Sequence, residues 1–243
     1  MKKIPYLLCC ASIMSACAGS GGTSSSTDET SAKSEAVSQC LAAKDYQYEA
    51  LLTKADIAKY VNMDESSYNK KVSPTKGKYG SCTYSWDSDR PRIESEVMGR
   101  TIKRLDNNQV TIKMLDFYTD EDLERNQQES VIDLFDMGYK KLSQAEYDKS
   151  LANLEKKLGD KPKDLARAKK MLDSRMNFKY KTVDDLGDRA YWKWSDYGVE
   201  LIVLIGNSRF TIESKTTGEP ESSLEHAVKF AKEVLAKCDG QKL

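Results

Sequence analysis

The chain of 243 residues is 31% charged and 39% hydrophobic, and its 38 basic and 38 acidic side chains balance. This balance gives no reason to expect nucleic acid or an anionic membrane surface as a partner. The single histidine, His226, is expected on the surface of a helix, which argues against Ser-His-Asp, Cys-His and histidine-rich zinc sites.

The first residues have the organisation of a secretory signal. Met1-Lys2-Lys3 is basic, and the mostly apolar run 4–14 is too short to span a bilayer as a mature helix. Met14-Ser15-Ala16-Cys17 then resembles a bacterial lipobox, in which small residues precede the cysteine that receives diacylglycerol. We therefore predict a lipoprotein signal peptide over residues 1–16 and lipidation of Cys17. The alternative is an ordinary signal peptide cleaved beside this cysteine.

Lipidation of Cys17 predicts how the protein is held at a membrane. Each buried methylene of an acyl chain stabilises attachment by about 0.8 kcal/mol, so two or three chains such as palmitate hold a protein without a transmembrane helix. At Ala18, an aspartate would resemble an inner-membrane retention signal, so the outer membrane is the expected location, facing the periplasm or the cell surface. Residues 17–38 are otherwise mostly small and polar, which predicts a disordered linker with a reach of roughly 25 Å.

Residues 39–240 are predicted to form a single globular α+β domain, because no second low-complexity linker and no repeat divides them. A capping box at Thr53 predicts a short helix to about Asn62. Another at Thr119 predicts a helix to about Met137.

Three more helices are expected further along the chain. One begins at Ser143 and stops at Gly159, and the next follows Pro162, with Met171 among the apolar residues that mark its core face. The last begins at the capping box Ser222-Ser223-Leu224-Glu225 and should pack across a sheet.

The early strands are indicated by alternation. Cys82, Tyr84 and Trp86 alternate with polar residues, which is typical of a half-buried strand. Residues 92–105 suit either a helix or a hairpin, and the hairpin is favoured because a polar turn then leads into a further strand. The alternating apolar residues of that strand are Val110, Ile112 and Met114.

Residues 183–212 are predicted to form a meander of three antiparallel strands. Its middle strand, 199–205, is apolar on both faces, which indicates a central or covered strand. Trp192 and Trp194 share the parity of Ala190 and are expected in the core. The predicted fold is therefore α+β, an antiparallel sheet backed by helices, with a helical segment between the early and late strands.

Three cysteines remain after signal cleavage and lipidation, in a compartment that permits disulfides. Cys40 and Cys238 flank the domain, and a bond that closes a loop of this size is worth roughly 5 kcal/mol in the chain-entropy model. We favour this pair over Cys40–Cys82, and expect Cys82 to be a buried structural thiol.

Few residues suggest a chemical site, and neither a metal ion nor a cofactor is predicted. Asp87-Ser88-Asp89 is expected to be a solvated turn. In the run Asp184–Asp188, Gly187 is expected to supply a special backbone conformation and Asp188 to cap a turn, with calcium binding as the less favoured alternative. Tyr191 and Tyr197 are possible ligand-stacking residues beside the two tryptophans.

Several short motifs together resemble small bacterial lipoproteins of unknown function. They are the lipobox, the helix LLTKADIAKYV, the strand CTYSW, and VDDLGDRAYW followed by a hydrophobic hairpin and a final amphipathic helix. The PsbP-like group, including mycobacterial LpqN-type lipoproteins, is the nearest fold analogy. The resemblance implies an α+β sandwich and no defined activity.

Two functions from different classes are consistent with these features. The favoured one is a non-catalytic, outer-membrane-anchored lipoprotein that acts as an accessory or binding module for an envelope protein partner. The alternative is a carboxylate-dependent hydrolase such as a glycosidase, which needs a cleft with two facing Asp or Glu side chains.

Overall fold

A computed structural model describes residues 26–97, 100–195 and 197–239. The helices in these ranges are α1 (Ser26–Ala43), α2 (Tyr48–Leu51), α3 (Lys54–Ala58), α4 (Asp120–Asn126), α5 (Val131–Tyr139), α6 (Gln144–Leu158), α7 (Pro162–Met176) and α8 (Pro220–Ala236). The strands are β1 (Asn69–Val72), β2 (Ser81–Trp86), β3 (Ile93–Val97), β4 (Arg100–Arg104), β5 (Asn108–Phe117), β6 (Lys181–Val183), β7 (Arg189–Ser195), β8 (Gly198–Ile205) and β9 (Ser208–Lys215).

Seven strands form one antiparallel sheet in the order β1-β2-β5-β9-β8-β7-β6, and β3 and β4 form a separate two-stranded ribbon. This ribbon confirms the hairpin favoured for residues 92–105. Neighbouring strands β7, β8 and β9 confirm the meander, and β5 joins the early strands to it through β9. With α4 to α7 between the early and late strands and further helices before and after the sheet strands, the predicted α+β fold is confirmed.

One face of the sheet carries the main core against α1, α3 and α8. Cys82, Tyr84 and Trp86 are at most 2% exposed, as their alternation predicts. Trp192 is buried as well, but Trp194 is 38% exposed, so the expectation of a buried tryptophan pair is wrong for Trp194. The reason is local, because β6 pairs with β7 between Ala190 and Trp192, and Trp194 lies beyond its end.

The opposite face of the sheet holds a smaller core. Ile202 and Leu204 of β8 pack there with Tyr191 of β7 against Phe135 of α5. Both faces of β8 are therefore buried, which confirms its interpretation as a covered central strand.

A β-bulge in β5 changes which side chains face the core. The register with β9 shifts between Lys113 and Asp116, and Met114 within the bulge has a positive φ of 57°. The extra residue reverses the alternation, so Leu115 is fully buried and Met114 is only half-buried. The expected alternation of Val110, Ile112 and Met114 is thus wrong at its last member.

Capping boxes form at Thr53, Thr119 and Ser143, whereas the box predicted at Ser222 does not form, because Glu219 is the N-cap of α8 and makes no side-chain capping hydrogen bond. The helix that starts after Thr119 nevertheless ends at Asn126 rather than near Met137. Gln127 adopts the left-handed conformation there, with φ 53°, and Ser130 caps the new helix α5. Similarly, α3 ends at Ala58 and not near Asn62, and a turn follows it.

The final helix begins at Pro220, two residues before the predicted capping box at Ser222. Proline suits the first helical position because it lacks an amide hydrogen and its φ is already helical. Ser223 is buried in the first turn, and its hydroxyl lies 2.9 Å from that of Thr217. The core face of α8 also includes Phe230, which the sequence analysis did not single out.

The prediction of a disordered linker up to Ser38 is wrong for the residues that the structure describes. Helix α1 begins at Ser26, and a stripe at i, i+3, i+4 and i+7 is buried on its inner face. That stripe consists of Ser34, Val37, Ser38 and Leu41. Two of the four are serines, so the apolar periodicity of a core helix is absent from the sequence.

Small side chains let α1 approach the turn between β8 and β9 closely. A Cβ atom at Gly206 would lie 2.8 Å from the Cβ of Ser38 and 2.9 Å from the carbonyl oxygen of Ser34. The Ser34 hydroxyl donates to Asp188, and the Ser38 hydroxyl bonds to Ser208. These contacts make α1 part of the folded domain.

Helices α6 and α7 form a hairpin whose principal packing is internal. None of the residues of α6 is buried, and Leu172 is the buried residue of α7. Met171, which was expected in the core, is 64% exposed. The hairpin joins the body at its base, where the Leu142 amide donates to the Arg175 carbonyl oxygen at 3.3 Å.

Candidate functional site

The predicted lipidation residue, Cys17, lies outside the described residues. The predicted disulfide between Cys40 and Cys238 is present, with the two Cα atoms 5.5 Å apart. Cys82 is a free, buried thiol, and burial raises its pKa. A protonated, inaccessible thiol is a poor nucleophile, which fits a structural role for Cys82.

Ion pairs tie α3 to the C-terminal end of α8, where Lys237 precedes Cys238 in the sequence. Lys237 contacts the Asp56 carboxylate, and Lys59 contacts Glu233 at 2.6 Å. Burial alone would raise the pKa of Asp56, but hydrogen bonds from Lys237 and Thr53 lower it to about 2. The disulfide and these pairs together define what we call the clasp, which holds the two ends of the domain.

The two possible ligand-stacking residues do not form one site. Tyr197 is 66% exposed, beside the turn between β7 and β8. Tyr191 is 3% exposed; its ring centroid lies 5.8 Å from that of Phe135, and its hydroxyl donates to Asp136 at 2.8 Å. Because adjacent residues of a strand face opposite sides, Tyr191 points into the smaller core and leaves no free ring face for a ligand.

An ionic and aromatic cluster near Tyr191 was not predicted. Arg209 donates to Asp116 at 2.9 Å and to the Tyr139 hydroxyl at 2.9 Å, and its guanidinium lies 5.3 Å from the Tyr118 ring centroid. These residues come from β5, β9, α5 and the loop after β5, so no local sequence pattern reports their proximity. The surplus of tyrosines is the only signal that could have suggested the cluster.

The electrostatics of this cluster favour a structural role. Burial raises the pKa of Tyr118 to about 12 and also raises that of Tyr139. Burial would lower the pKa of Arg209, but the tyrosines and Asp116 raise it. The guanidinium therefore stays charged and the phenols stay neutral at physiological pH, so none of these three groups readily exchanges a proton near neutral pH.

Backbone hydrogen bonds and close backbone contacts fix the two aspartate runs in the fold. Gly187 has a φ of +63°, and a Cβ atom there would lie 2.3 Å from the Leu204 carbonyl oxygen, which confirms its expected backbone role. Asp188 caps the β8–β9 turn by accepting a hydrogen bond from the Gly206 amide at 2.6 Å. In the other run, the Asp87 amide donates to the Ser67 hydroxyl. Within the described ranges, no three His, Cys, Asp or Glu side chains are placed to hold a metal ion.

The remaining titratable groups of the described ranges include one histidine and several carboxylates whose pKa values are shifted. His226 is half-buried, with its Nδ1 atom 2.8 Å from the Thr216 hydroxyl, and burial lowers its pKa. A glycosidase needs a carboxylic acid whose pKa is raised. Where carboxyl pKa values in the described residues depart from ordinary values, they fall, as at Asp56, Asp106 and Glu233.

Comparisons with known proteins do not assign this chain to a family. No family model, no curated protein sequence and no solved structure matches it. The resemblance to PsbP-like lipoproteins stays a prediction. Among the residues that the structure describes, no helix has the length and apolar character needed to cross a bilayer.

Proposed function

We propose that the protein is a lipid-anchored envelope lipoprotein, held in the outer membrane by acyl chains on Cys17, and that its folded domain is a non-catalytic binding or accessory module. The observation that carries the proposal is the lipobox Met14-Ser15-Ala16-Cys17 behind a short basic and apolar segment. The resemblance to small bacterial lipoproteins rests partly on the same residues.

Two features of the fold support this proposal. A buried structural disulfide between Cys40 and Cys238 suits an oxidising compartment outside the cytoplasm. Ser26, the first described residue of α1, follows Cys17 by nine positions in the sequence. Nine residue steps span at most about 30 Å, so an anchor at Cys17 holds the domain close to the bilayer.

A binding module is a better account than the hydrolase. The partly buried carboxylates Asp106, Asp116 and Asp136 contact arginines and hold the fold together. The domain instead offers the α6–α7 hairpin and the separate β3–β4 ribbon, whose described side chains are mostly exposed. Such elements suit contact with another envelope component.

The test is lipid labelling of Cys17→Ala in the native envelope. The parent chain should incorporate labelled palmitate and stay with membranes through a wash at about 1 M salt, which screens electrostatic contacts. The variant should lose the label and move to the soluble fraction. Cys9→Ala, a matched change in the segment predicted to be removed, should behave as the parent. A parent chain without label, or a variant that keeps it, would refute the anchor.

A further inference from the structure

The α6–α7 hairpin concentrates positive charge in a chain whose net charge is zero. Residues 156–170 contain seven basic and two acidic side chains, a net charge of +5. We call this segment the basic tip. Its basic residues are Lys156, Lys157, Lys161, Lys163, Arg167, Lys169 and Lys170. Each of the seven is exposed, and in the described part of the chain none takes part in an ion pair.

The tip differs in this respect from the body of the domain. Many basic side chains of the body contact carboxylates, for example in the pairs Arg90–Asp106, Lys113–Glu213, Arg209–Asp116 and Lys237–Asp56. Those cations stabilise the fold. The cations of the tip have no comparable partner, so their field extends into the solvent.

Part of the tip is a continuous basic stripe along α7. Lys163, Arg167 and Lys170 follow the spacing i, i+4 and i+7, which places them on one face of the helix. All three are exposed, whereas the opposite face carries the half-buried Leu165 and the buried Leu172. The stripe therefore faces away from α6.

An exposed apolar residue lies beside this stripe. Met171 follows Arg167 by four positions and is 64% exposed. The stripe thus places cationic side chains beside one exposed apolar side chain, and a lipid surface can contact both, the charges at the headgroups and the apolar side chain at the acyl boundary. An acidic protein or a nucleic acid would meet the same charges, but the proposed anchor at Cys17 keeps the domain beside a bilayer, which favours the lipid surface.

We propose that the basic tip docks on an anionic lipid surface, with its lysines and arginine on the phosphates of the headgroups and Met171 at the edge of the acyl region. This inference rests on the proposed lipid anchor, because an anchor at Cys17 keeps the domain within about 30 Å of the bilayer. The hairpin extends about 22 Å over the fifteen residues of α6, a length comparable with the distance that the anchor allows. Docking adds an electrostatic contact to that of the acyl chains and orients the domain.

The experiment measures co-sedimentation with vesicles and does not depend on acylation. The whole mature chain, residues 17–243 with Cys17→Ala, is mixed with phosphatidylcholine vesicles or with vesicles containing roughly one third phosphatidylglycerol. We expect binding to the anionic vesicles alone, and its loss as salt rises from about 0.1 M to 1 M. A Met171→Ser variant should bind more weakly at the same charge.

The decisive variant removes four charges from the tip, in Lys156→Gln, Lys157→Gln, Lys163→Gln and Lys170→Gln. Its affinity for anionic vesicles should fall at least about tenfold. The control removes four exposed lysines of the body, in Lys70→Gln, Lys71→Gln, Lys76→Gln and Lys232→Gln, and should keep most of the binding.

Binding to neutral vesicles, equal loss in both variants, or no binding to either vesicle would overturn the docking. Since palmitate labelling tests Cys17 separately, failure of the docking and failure of the anchor are distinguishable.

Discussion

The sheet body and the α6–α7 hairpin begin their helices with the same local chemistry but differ in what those helices bury. The capping box at Thr53 starts α3, in which Ile57 is fully buried against the main core. The box at Ser143 starts α6, in which no residue is buried. Capping residues therefore determine where a helix begins, and a separate set of contacts decides whether it joins a core. The body should unfold as one unit, and the hairpin should open locally at a lower free energy.

The largest expected effect is in the body, from Trp192→Ala. Trp192 is 7% exposed in the main core, and truncating a buried aromatic side chain costs about 3–5 kcal/mol. Thermal unfolding should show a marked fall in melting temperature. Trp194→Ala is the matched control, because Trp194 is 38% exposed on the same strand and should cost clearly less. If the Trp192 variant melts with the parent, this side chain is not part of the core.

An intermediate effect is expected from Asp56→Asn in the clasp. The folded pKa of about 2 lies below the ordinary 3.8, so the carboxylate stabilises the fold above about pH 4 and this contribution is lost as the pH falls towards 2. The variant should lose about 2 kcal/mol at neutral pH and show a flatter decline in acid. Denaturant titrations from pH 7 to pH 2 measure both. Asp164→Asn, an exposed change in the hairpin, should reproduce the parent curve.

The smallest global effect is expected from Leu154→Ala in α6. Leu154 is half-buried in the hairpin, and its loss should change the main unfolding transition by under about 1 kcal/mol. Amide hydrogen exchange should quicken in α6 and α7 while β8 and β9 keep their protection. Equal acceleration in the sheet would show that the hairpin and the body unfold together, and the distinction between them would fail.

The features that the sequence predicted are those with local causes. The boxes at Thr53, Thr119 and Ser143 each depend on residues three positions apart, and all three form. The alternation from Cys82 to Trp86 depends on the pleat of a single strand. Such patterns are complete within a few residues, so a single sequence is enough to read them.

The features that were missed depend on distant partners. The inner face of α1 includes Ser34 and Ser38, which are suited to a core only because Gly206 lets the helix approach. The bulge at Met114 has no residue signature of its own. Arg209 and Asp116 are far apart along the chain and meet only after β5 pairs with β9. Of the candidate site residues, the cysteine pair was predicted correctly, because the position of the two cysteines at the domain ends is visible in the sequence. The burial of Tyr191 was missed, because it depends on packing by α5.

The bond between Cys40 and Cys238 also sets the path that a mechanical load takes through the molecule. It closes residues 40–238 into a covalent ring. Tension applied between a point before Cys40 and a point after Cys238 passes directly across the two sulfur atoms. The chain between the two cysteines lies outside this covalent path. A pull on a residue before Cys40 against the last residues is therefore borne by the disulfide, and the ring stays closed until that bond is reduced.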